Sequence, residues 1–346
     1  MKKYRFQDDY SEGCHPRILE LLAQTNLVQQ DGYGEDEYSL KAKQLIHQHL
    51  DNPQSKIHFV SGGTQANLIV IGALLRSHES VISAFTGHIS TNEAGAIEAQ
   101  GHKVNTILSQ DGKITPEGIQ KVLDQHSHVP HVVKPKLVYI SNATELGTHY
   151  SKKELAAIFN FCQAKELYLF VDGARLGNAL MVDDVDLTLA DMAQYSDIFY
   201  LGGTKNGALL GEAIIINHPT LQQDFAFQVK QKGAMMSKGR VLGIQFMALF
   251  QEDLYFELAR HANQLAQKMK ASFESMGFDF LVQTKTNQIF PILPNALIDR
   301  LKEQYEFHIW KQIDDAHSAI RLIASWATEE NVVDEFLSKL DSANTK

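Results

Sequence analysis

Along the chain, short runs of consecutive apolar residues alternate with longer segments whose apolar positions recur at helical spacing, which predicts an α/β layout. Strands are expected over KIHFVSGG (56–63), SVISAF (80–85), KVNTIL (103–108), KLVYISNAT (136–144), LYLFV (167–171), SDIFYLGG (196–203) and EAIIIN (212–217). Their apolar runs are nearly continuous, as a mostly parallel sheet covered on both faces requires. Between them, TQANLIVIGALL (64–75) reads as a buried helix and TNEAGAIEAQG (91–101) as a helix closed by Gly101. ITPEGIQKVLDQH (114–126) opens with Thr115 as N-cap and Pro116 in the first turn. SKKELAAIFNFCQAK (151–165) opens with Ser151, and Glu154 completes a capping box.

Beyond residue 240 the pattern changes. Residues 241–277 form one long helical stretch, followed by the short strand candidates FDFLVQ (278–283), NQIFPIL (287–293), EFHIWKQI (306–313) and SAIRLIAS (318–325), and by a closing amphipathic helix (329–340). The expected division is therefore an N-terminal arm with a large α/β domain over 1–240, and a linking helix with a small C-terminal α+β domain over 241–346.

Composition narrows the function classes. With 346 residues, 44% hydrophobic and 21% charged, the chain is long enough for more than one core and ordinary for a globular protein. Its formal charge of −9 offers no basic face for nucleic acid. Two cysteines cannot make a disulfide framework, which suits a reducing compartment. No apolar run approaches the roughly 20 residues of a membrane span, and the basic N-terminus has no apolar stretch behind it. A soluble cytoplasmic protein without membrane or nucleic-acid partners is expected. His126, His128 and His131 lie in a Pro-punctuated loop without a metal-ligand spacing, so no metal is expected.

Ligands of α/β sheets bind outside the carboxyl ends of the strands. Four polar groups fall at such ends: the turn Gly62-Gly63-Thr64, His88, Asp172 and Lys205. The turn feeds a helix N-terminus, whose free N–H groups and the Thr64 hydroxyl suit a phosphate. Singly, each has a plain alternative as a turn, a cap or a solvated charge. Together they match pyridoxal phosphate, which needs a lysine for its Schiff base, a carboxylate for its pyridine nitrogen and a phosphate cradle.

At these residues the chain resembles the threonine aldolase and β-eliminating lyase family, within the aspartate aminotransferase fold type (fold type I) of pyridoxal-phosphate enzymes. The resemblance is carried by DGYGEDEY (31–38), SGGTQANL (61–68), GHISTNEAGA (87–96), DGARLGNA (172–179), GGTKNGALLGEA (202–213) and Arg321 in SAIRLIAS. It implies Lys205 as the Schiff-base lysine, Asp172 on the pyridine nitrogen, and Gly63 and Thr64 on the phosphate. It implies His88 stacked on the ring and near the substrate side chain as a candidate base. Ser11, Arg175 and Arg321 would bind the substrate carboxylate, with Arg175 also beside the Schiff base. A homodimer or homotetramer acting on an L-amino acid as small-molecule substrate is implied as well.

Three positions depart from the family pattern. In SNATELGTHYS, Thr144 stands where the family usually carries a second His, with His149 five residues later. Ser237, followed by Lys238, stands where a basic residue commonly reaches a neighbouring subunit's phosphate site, and Asn206 follows Lys205 in place of Gly. Aldol cleavage of threonine, allo-threonine or another β-hydroxy amino acid is the leading expectation. β-Elimination on a different amino acid and an inactive binding protein of the same fold are the alternatives.

Overall fold

The seven apolar runs of the first two-thirds of the chain do form one sheet. The computed structural model describes residues 3–344, so the outer ends of both expected domains lie outside it. In chain order the central strands are β1 Lys56–Val60, β2 Glu79–Ala84, β3 Val104–Ile107, β4 Lys134–Ser141, β5 Tyr168–Asp172, β6 Ile198–Gly202 and β7 Glu212–Ile216. They lie in the order β1-β7-β6-β5-β4-β2-β3. β7 runs antiparallel to both neighbours, and the other pairings are parallel. Every residue of β2, β6 and β7 is buried. Successive side chains enter opposite cores: Leu137 and Tyr139 of β4 face one, Val138 and Ile140 the other. Each such aliphatic side chain contributes about 1.5–3 kcal/mol when fully buried.

The caps read from sequence are present. The Thr115 hydroxyl accepts from the Gly118 N–H, and Ser151 with Glu154 forms a reciprocal capping box. Three expectations need correction. The helix over 91–101 is instead one turn, His88–Thr91, and a separate 3-10 turn, Glu98–Gln100. Ala94 (φ 52°) and Gly95 (φ 72°) are left-handed between them and break the helical ladder, although Gly101 does terminate the segment (φ 90°). The stretch 241–277 divides into helices Arg240–Phe250 and Leu254–Ser275, because Glu252 (φ 60°) and Asp253 (φ 58°) are also left-handed. FDFLVQ makes only a single bridge, Phe280 to Pro291, and is held by packing of the Phe280 ring against Phe273.

The C-terminal sheet consists of β8 Gln288–Ile289, β9 Ile292–Pro294, β10 His308–Gln312 and β11 His317–Ile323, with the other three all antiparallel to β11. Its core gathers Phe273, Ile320, Leu322 and Phe336, and also Phe6. The N-terminal arm, which the expected division groups with 1–240, thus packs on the small domain. Tyr4–Arg5 pairs parallel with Tyr305–Glu306, and the N–H of Ile323 donates to the Phe6 carbonyl. This anchorage carries residues 8–10 toward the carboxyl edge of the central sheet.

Candidate active site

The carboxyl ends of β4, β5 and β6 and the start of β7 meet at one edge, since Ser141 is in register with Asp172 and Gly202 with Glu212. A cavity of about 700 Å³ opens there. Its wall includes Gly62, Gly63, Thr64, His88, Asp172, Arg175, Lys205 and Arg321, so seven of the eight sequence-predicted site residues converge: Gly63, Thr64, His88, Asp172, Arg175, Lys205 and Arg321. Ser11 does not. It is exposed, its hydroxyl donates to Asp8 Oδ1 at 2.8 Å, and its neighbour Tyr10 lines the cavity instead.

Asp172 is held from every side. Oδ2 accepts from the Tyr139 hydroxyl at 2.5 Å and Asn67 Nδ2 at 3.2 Å. Oδ1 accepts from the Ala174 N–H at 3.0 Å and from the Tyr200 hydroxyl. Asn67 also donates to Glu93 Oε1 at 2.6 Å, and His88 Nδ1 lies 2.8 Å from that same oxygen. A polar chain therefore runs from Asp172 through Asn67 and Glu93 to the imidazole. The Glu93 contact raises the His88 pKa above its ordinary value, against the opposing effect of burial.

Lys205 sits in the turn between β6 and β7, its Nζ 6.0 Å from the Tyr10 ring. Burial, reinforced by the nearby Arg175 charge, holds its ammonium below the ordinary lysine range. That shift favours the neutral, nucleophilic amine. Glu212, at the start of β7, accepts from the Gly203 N–H at 2.9 Å, and burial pushes its carboxyl group up to about 8. Asn206 points away from the cavity and donates to the Tyr255 carbonyl at 2.7 Å, tying the lysine turn to helix Leu254–Ser275.

Two guanidinium groups face the other side. Arg175 donates from Nε and Nη2 to the two oxygens of Asp9, at 2.7 and 2.9 Å, and Asn287 also donates to Asp9. Burial opposes charge on both members of this pair. Their mutual attraction outweighs it, raising the pKa of Arg175 and lowering that of Asp9. Arg321, on β11, stacks over Trp310 at 4.9 Å and donates from Nη2 to the Gln7 carbonyl at 3.1 Å. Its Nε is buried with no hydrogen-bond partner among the described residues. Burial, then the Arg175 charge, brings Arg321 down to about 10.

Sequence reasoning missed Asp9, Glu93, Glu145 and Glu212. Glu93, Glu145 and Glu212 lie within GHISTNEAGA, SNATELGTHYS and GGTKNGALLGEA, and for Glu93 the spacing of five residues from His88 is the available signal. The Thr144 expectation also changes. Thr144 is buried with its hydroxyl 2.7 Å from that of Thr148, and it is absent from the cavity wall, where Glu145 stands instead.

Comparison with known proteins follows the same lines. A family model for beta-eliminating lyases matches residues 8–295. A low specificity L-threonine aldolase of Pseudomonas aeruginosa is 30% identical over 329 residues, covering 94% of this chain and 93% of the relative. A solved threonine aldolase structure from Leishmania major is 45% identical, covers 99% of both chains and superposes with a TM-score of 0.97. An aspartate aminotransferase mutant of Thermus thermophilus, 13% identical, shares the fold with a TM-score of 0.72 over 99% of this chain and 91% of its own.

Proposed function

The chain belongs to the beta-eliminating lyase family, and from that premise we propose that it cleaves threonine or allo-threonine, and related β-hydroxy-α-amino acids, to glycine and an aldehyde. Family members use pyridoxal phosphate, and the residues gathered in the cavity fit it. A buried amine of lowered pKa, a carboxylate fixed by four donors and a helix N-terminus opening at Gly63 share one wall. When bound, the cofactor supplies a ring that draws off the electron pair released as a bond at the substrate's Cα breaks.

Lys205 would hold the cofactor through its amine, and Asp172 would face the pyridine nitrogen. The first-turn N–H groups at Gly63 and Thr64 have no intrahelical acceptor and would take the phosphate. His88, anchored through Nδ1 to Glu93, would cover the ring and present its other nitrogen toward the substrate side chain. Arg321 would take the substrate carboxylate, beside an Arg175 that Asp9 keeps charged and fixed.

The single observation that carries this reading is that Arg321 lines the same cavity as Lys205 and Asp172. The paired donors of a guanidinium match a carboxylate bidentately, and an amino acid's carboxylate is the anion this group would take. The deciding assay follows products from threonine, phenylserine, serine and cysteine. Glycine with the matching aldehyde from the first two is expected. Pyruvate and ammonia from the last two, with no glycine from the first two, would show β-elimination and sink the aldol assignment.

A further inference from the structure

The turn after β4 sends two neighbouring side chains in opposite directions. Thr144 spends its hydroxyl on Thr148 behind the wall, whereas Glu145 places its carboxyl group in the cavity. Glu145 Oε1 accepts from the backbone N–H of His88 at 2.8 Å and from the Ser141 hydroxyl at 2.7 Å. A carboxyl group held by two fixed donors is oriented before substrate arrives, and it stands beside a histidine whose Nδ1 is already committed to Glu93. A carboxyl group therefore stands on the cavity wall one position after Thr144.

We propose that Glu145 is a catalytic residue: its carboxylate accepts the proton of the substrate's β-hydroxyl during Cα–Cβ cleavage, and so selects β-hydroxy amino acids. The inference rests on the aldol reading of the site. The O–H bond breaks and its proton passes to Glu145. The oxygen's electron pair becomes the second bond of the aldehyde C=O while the Cα–Cβ bond breaks. Cα then takes a proton and glycine forms, so the proton gained at Cα balances the one lost from the hydroxyl and no further reactant is consumed; the cofactor would supply the electron sink for the pair at Cα. Burial, with a smaller push from Asp172, raises the Glu145 carboxyl group above its ordinary value. The titratable and charged groups acting on it are His88, Asp172, Arg175, Tyr139 and Tyr150.

A rival role is purely structural, since the same oxygen caps the N–H of His88 and positions that ring. Two reactions of the holoenzyme separate the roles. Threonine cleavage moves a hydroxyl proton; exchange of the glycine α-proton with deuterated solvent, followed by NMR, does not. For Glu145→Gln, threonine kcat/KM is expected to fall about 100-fold while exchange falls less than about threefold, and the acid limb of the kcat/KM–pH profile should vanish. Glu145→Asp should recover part of the loss. Equal losses in both reactions, or cleavage at the wild-type rate by Glu145→Gln, would overturn the assignment. A wild-type enzyme that exchanges the glycine proton yet releases no glycine from threonine or phenylserine would defeat the aldol reading, and the inference with it.

Discussion

His88 shows how one contact sets a residue's chemistry. Burial alone would lower its pKa, and the Glu93 carboxylate at 2.8 Å reverses the sign. Replacing Glu93 with Gln removes the dominant raising influence and leaves burial in control. The His88 pKa, read from the pH dependence of its imidazole NMR signals, should then move from above 6.5 to below it. A His88 signal that titrates unchanged in Glu93→Gln would contradict the coupling. The sign also fixes a stability effect. A histidine whose pKa is raised on folding stabilises the fold below its unfolded value, and that contribution disappears as pH rises through the folded value. At this scale the sequence was half legible. Lys205, Asp172 and Arg321 stand in recognisable local strings, but Asp9 meets Arg175 across 166 residues and Glu145 meets His88 across 57. No local pattern records such pairings, because the sheet register and the anchored N-terminal arm create them.

At the scale of elements, the string DGARL acquires a steric meaning. A Cβ on Gly173 would lie 1.8 Å from the Tyr200 carbonyl oxygen, and one on Gly202 would lie 2.4 Å from that of Ala174. The chain leaving β5 therefore crosses the end of β6 in direct backbone contact, and this crossing fixes Asp172 beside the lysine turn. Gly173→Ala is expected to cost about 3 kcal/mol or more by overpacking, seen as a lowered thermal midpoint or loss of soluble protein. Gly62→Ala should keep the wild-type midpoint, because its Cβ would meet nothing within 4 Å and its φ of −179° is extended. Equal midpoints for the two variants would refute the steric account. The contrast also explains which elements were legible. Capping boxes and continuous apolar strands are local and were read correctly. The breaks at Ala94 and at Glu252–Asp253 were not, since left-handed backbone at a non-glycine residue follows from what the flanking segments must reach.

For the whole molecule, the cavity draws on three separated parts of the chain: Tyr10 from the arm, Asp172 and Lys205 from the central sheet, and Trp310 and Arg321 from the small domain. Loss of the arm's pairing with Tyr305–Glu306 would thus remove Asp9 from Arg175 as well as part of the wall. Between residues 19 and 40 several large apolar side chains face solvent. Leu19, Leu27, Val28, Tyr33 and Leu40 are all exposed, Leu27 by 92%. Covering exposed apolar side chains with a second copy removes them from water, and an isologous pair of identical chains is the commonest closed assembly. We therefore expect a homodimer, or a tetramer built from such dimers. Light scattering during size exclusion should give the mass of two or four chains, and Leu27→Asp should shift the population toward the single chain by opposing burial of that position. The charge would make the contact unfavourable without touching any cavity residue, so the fold should persist while assembly weakens. A wild-type protein that runs as a fully active monomer at nanomolar concentration would remove the claim.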